Sequence, residues 1–100
     1  MPPATMPIAV SRTLRQLGEH VATWRKLQGL STTILAERAG IARGTLRSIE
    51  QCAGTASTES LLRVLRVLGV MERVVEAADP YATDVGKLRA DETLPNRVRR

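Results

Sequence analysis

Phenylalanine is absent from these 100 residues, and Trp24 and Tyr81 are the only aromatic side chains. That scarcity argues against single-stranded nucleic-acid modules, which stack bases on aromatic platforms. One cysteine, Cys52, rules out a disulfide framework. With one histidine, His20, no CxxC or Cys/His zinc set can be assembled. No apolar run approaches the roughly 20 residues that a membrane span needs. The opening stretch, MPPATMPIAVSRT, has no basic region followed by an apolar core, so no secretory signal is expected. A phosphate-binding glycine loop, a nucleophile–base set and a metal cluster are also missing, so neither an enzyme nor a cofactor is expected. The expectation is a soluble protein of the reducing cytoplasm.

What is present looks globular. Hydrophobic residues make up 43% and charged residues 25% of the chain, close to the averages for folded domains. The length fits one domain. The net charge of +5 favours an anionic partner. It is unevenly spread: residues 12–54 carry +4, residues 55–79 carry −1 and residues 80–100 carry +2.

The chain reads as an all-α fold. Pro2, Pro3 and Pro7 make residues 1–10 a poor helix, read as a flexible arm. Residues 11–79 read as the folded domain, opened by Ser11 as the cap of a first helix running to about Gln28. Leu14, Leu17, Val21 and Trp24 follow 3-4-3 spacing and should form its core stripe. Ser31 caps a second helix, Thr32–Ala39, and Gly40 suits the left-handed residue after it. A third helix runs from Arg43 to Gln51 and ends at the turn-like CAGTA. Ser57 caps a fourth, Thr58–Leu68, stopped by Gly69. A fifth, Val70 to Ala78, aligns Met71, Val74, Val75 and Ala78 on one side, a stripe that either closes the core or meets a second subunit. Residues 80–100 read as a tail, either poorly ordered or a partner-binding segment.

Two short helices joined by a tight glycine turn, here Ala39-Gly40-Ile41-Ala42, are the core of a helix-turn-helix. The segment LSTTILAERAGIARGTLRSIEQ, with LGEHVATWRKLQGLS before it and STESLLRVLRVLGV after it, resembles the Xre-type helix-turn-helix family of phage and bacterial repressors. The resemblance spans about Leu14 to Val75 and implies a five-helix, lambda-repressor-like domain. On the third helix, at about 100° per residue, Leu46 and Ile49 share one side with Thr45 beside them. Gly44, Arg47, Ser48 and Gln51 lie opposite. Such a donor-rich face suits the major groove, where Arg bonds guanine bidentately. The resemblance implies that Arg43, Gly44, Arg47 and Ser48 read bases, and that Thr32, Thr33 and Thr45 hold phosphate.

Arg25 lies about 60° from the centre of the first helix's apolar stripe, where an unpaired charge is costly. Glu50 borders the buried side of the third helix. The family has a partly buried Arg–Glu pair at these two positions, so Arg25 and Glu50 are expected to pair structurally. Four positions depart from the family pattern. Thr32 stands where Gln is frequent, and Gly44 replaces a side-chain-bearing reader. Ala42 cannot cap the third helix, a loss of about 1 kcal/mol. Cys52 takes the place of the usual Gly.

The resulting expectation is a transcriptional regulator, a repressor binding a double-stranded DNA operator as a homodimer, with half-sites about 10 base pairs apart or a multiple of that. The alternative is a HipB-type antitoxin, whose tail would bind a toxin kinase while the helix-turn-helix represses its own promoter.

Overall fold

Two serines and two glycines bracket the helices that position the site. Ser31 has extended backbone, and its hydroxyl accepts from the Ile34 N–H at 3.1 Å, starting α2 at Thr32–Ala39. Gly40 (φ +72°) ends it in the left-handed conformation. Ser57 caps α4, Thr58–Leu68, by accepting from the Ser60 N–H at 3.1 Å. Gly69 (φ +84°) closes that helix in the same way. The computed structural model describes residues 5–51 and 56–93. Within these, the remaining helices are α1 (Ile8–Leu27), α3 (Arg43–Glu50), α5 (Met71–Ala78) and α6 (Asp84–Thr93), with a short 3-10 helix at Pro80–Ala82. Among the described residues there is no strand, and their regular structure is all helical.

The chain divides into two compact units, Met1–Val70 and Met71–Arg100. In the first, α1 packs on α3 and α4, α2 packs on α3 and α4, and α3 packs on α4. Val21, Leu35, Leu46 and Val64 are fully buried, and Ala36, Ala39, Ile49, Leu65 and Leu68 complete the core around them. Burying each valine, leucine or isoleucine among these contributes about 1.5–3 kcal/mol. The Gln28 side chain, at the end of α1, donates to the Leu68 carbonyl at 2.9 Å and satisfies the last turn of α4.

In the second unit, α6 packs on the 3-10 helix. Asp79 caps that turn by accepting from the Tyr81 N–H at 2.9 Å. Thr83 starts α6 by accepting from the Gly86 N–H at 2.9 Å while its hydroxyl donates to the Pro80 carbonyl. A Cβ at Gly86 would run into that same carbonyl, so only glycine allows the approach.

Four expectations need correction or qualification. Helix α1 begins at Ile8 behind Pro7, so Ser11 is not its cap; the Ser11 N–H already bonds the Pro7 carbonyl at 3.0 Å. Proline serves here because the residue before a helix needs an extended ψ, and Pro7 has ψ 144°. Trp24 is 36% exposed and does not complete the core stripe, which goes deepest at Val21. The stretch after Pro80 carries regular helix over Asp84–Thr93. The CAGTA turn lies largely outside the described residues, as does the basic end of the tail.

Candidate nucleic-acid interface

The orientation of α3 follows from two side chains. Leu46 and Ile49 are buried against α1, α2 and α4, which turns Arg43, Gly44, Arg47 and Gln51 to the exposed side. The start of α2 lies beside this face. Thr32, Arg43, Arg47, Glu50 and Gln51 line one polar cleft of about 170 Å³. Arg43 also donates to the Thr33 hydroxyl at 3.5 Å, a long contact that links the first turns of α2 and α3. Nothing stands within 4 Å of where a Gly44 Cβ would be, so the backbone there is open to close approach. Ala42 has the extended backbone of an N-cap, φ −70° and ψ 149°, with no side-chain cap bond.

Thr45 and Ser48 sit differently. Both are half-buried, and Ser48 lines a second, mainly apolar cleft with Leu14, Leu17, Gly18, Ile49, Ala56, Ser57, Thr58 and Leu61. The structure therefore groups Thr32, Arg43 and Arg47 in one cleft, with Thr33 in contact and Gly44 exposed beside them. It places Ser48 around the side of the helix.

Arg25 lies behind the polar cleft. Its Nε and Nη2 donate to the two carboxylate oxygens of Glu50 at 2.8 and 3.1 Å. The two side chains are only 13% and 11% exposed. The hydrogen bond to Glu50 raises the guanidinium pKa above its ordinary value, and burial opposes that rise. Nη1 donates to the Leu30 carbonyl at 3.0 Å.

Gln51, part of the donor-rich face expected of the third helix, joins the cleft one helical turn beyond Arg47. Two participants were not picked out from sequence. Arg63, paired with Glu59 at 2.9 Å, also reaches the Ala39 carbonyl at 3.4 Å and supports the turn between α2 and α3. Its i,i+4 spacing signalled the ion pair but not the reach across to α2. The Leu30 carbonyl has no signal in the sequence, because it is backbone.

A pair of short helices at a left-handed glycine turn, the second presenting cationic side chains, defines a helix-turn-helix. The chain belongs to the helix-turn-helix domain family, whose model matches residues 16–86. No curated protein and no solved structure matches the chain. Among the described residues, no group of His, Cys, Asp and Glu could hold a metal ion, and no helix is long and apolar enough to cross a membrane.

Proposed function

We propose that this protein is a sequence-specific double-stranded-DNA-binding transcriptional regulator of the Xre type, a cytoplasmic, nucleoid-associated repressor without enzymatic activity. One observation carries the reading: Arg43 and Arg47 of α3, with Gln51 at its C-cap, open onto the same polar cleft as Thr32 at the start of α2. A helix N-terminus favours phosphate, and arginine reads guanine edges in the major groove. One such helix spans few base pairs, so a homodimer on a palindrome is the matching arrangement. Val74 and Val75 remain exposed on α5, apolar surface of the kind a second copy would cover.

Selection on randomised duplex DNA tests this. The unaltered chain should enrich a palindromic site. Arg43→Ala and Arg47→Ala should each cost about 1–3 kcal/mol at that site, with relaxed base choice in at least one. Thr32→Ala should weaken binding to all sequences alike. Unchanged preference in both arginine variants would refute the role given to α3.

A second reading, the antitoxin, draws on α6, where Val85 and Leu88 are exposed three residues apart. A chain ending at Pro80 should keep its site preference and lose modest, salt-sensitive affinity. If the antitoxin reading holds, the same truncation abolishes capture of a co-expressed toxin kinase. A truncated chain that has lost operator selectivity would assign the tail to the DNA-binding unit.

A further inference from the structure

The geometry points to Arg25 as a positioning residue for DNA recognition: its guanidinium sets the spacing between the start of α2 and the reading face of α3. This rests on the DNA-binding reading above. The Leu30 peptide is held at both ends by one residue. Its N–H donates to the Arg25 carbonyl at 3.0 Å, and its own carbonyl accepts from Arg25 Nη1 at 3.0 Å. The next residue, Ser31, caps α2, and Thr32 then forms one wall of the polar cleft. The other edge of the same guanidinium grips both carboxylate oxygens of Glu50, which with Arg47 and Gln51 forms the opposite wall. Both walls are thus referenced to one planar group.

Arginine is suited to this because its donors diverge in a rigid fork; a lysine ammonium is a point charge on a flexible stem. Water competes little for these bonds, since both side chains are nearly buried. The separation of the walls matters because phosphate attraction tolerates displacement, whereas bidentate base reading depends on alignment. Loss of the clamp should therefore remove discrimination and leave general DNA affinity.

The test compares the unaltered chain with Arg25→Lys and Glu50→Gln. The core variant Val64→Ala serves as a destabilised control that does not touch the clamp. Each is titrated, at a temperature where circular dichroism shows it folded, against the selected site and a scrambled duplex at two salt concentrations. For Arg25→Lys, the ratio of specific to non-specific affinity should fall at least about tenfold, with the scrambled-duplex affinity and its salt slope unchanged. The control should keep the ratio. If Arg25→Lys does not fold, Glu50→Gln, which keeps one acceptor oxygen for the guanidinium and sets a donor where the second stood, carries the measurement. A folded clamp variant with the original ratio, or a control that loses as much, overturns the proposal and leaves the DNA-binding reading standing. An unaltered chain that selects no site overturns both.

Discussion

Replacing Glu50 with alanine takes both carboxylate acceptors from a guanidinium whose side chain is 13% exposed. Breaking a buried pair by removing one partner costs about 3–5 kcal/mol, because the remaining charge is stranded away from water. Two features place this case near the lower bound. About one tenth of each side chain still meets solvent, and Arg25 keeps its bond to the Leu30 carbonyl. The expected loss is about 3 kcal/mol, and for a chain of this size each kcal/mol lowers the melting temperature by about 4–8 °C. Arg25→Ala should cost a similar amount, and in addition it frees the α1–α2 connection. The double variant should cost clearly less than the two losses together, since neither charge is then stranded. A coupling energy of about 1–3 kcal/mol is expected from the cycle, measured by thermal melts or urea titration of all four proteins. Strict additivity of the two single losses would refute the reasoning, because it would mean that neither charge depends on the other.

Two further outcomes follow from local geometry. Ala42 holds nearly the same backbone conformation as the capping serines 31 and 57 but offers no side-chain acceptor, so Ala42→Ser should stabilise the fold by up to about 1 kcal/mol; an unchanged or lowered melting temperature would count against it. Alanine at the two helical glycines should act in opposite directions. Gly44→Ala, in open space, should raise helix stability by up to about 1 kcal/mol, while Gly86→Ala should lower amide-exchange protection across Asp84–Thr93, where its Cβ meets Pro80; equal effects of one sign would contradict this.

Punctuation in the sequence was the most readable part of the fold. Helices α2 and α4 run between the residues expected of them, because a capping serine and a left-handed glycine act locally and need no knowledge of the rest of the chain. Periodicity was less reliable. It extended the stripe of α1 one turn too far, to Trp24, since 3-4-3 spacing defines a face without showing how much of that face the neighbours cover. Proline misled in the other direction: Pro7 was read as the interior of an arm, yet it stands directly before the first helical residue. Helix α6 was missed because its seating depends on the absence of a side chain at Gly86, which carries no periodic signal. At the candidate site, helical spacing put Arg47 and Ser48 on one face and the family resemblance added Arg43 and Thr32, but neither showed Ser48's turn toward the apolar cleft, which depends on how far α3 rolls over α1. The Leu30 carbonyl could not be foreseen, because any residue would supply it.

The position of the lone tryptophan has a practical consequence. Trp24 immediately precedes Arg25, is partly exposed, and has no phenylalanine and only one tyrosine to compete with it optically. Its emission therefore comes from the one stretch of α1 where the guanidinium is anchored. Any event that loosens that anchorage, whether heat, substitution or the docking of a duplex, should be visible as a shift in intrinsic fluorescence, and the chain needs no added dye to report it.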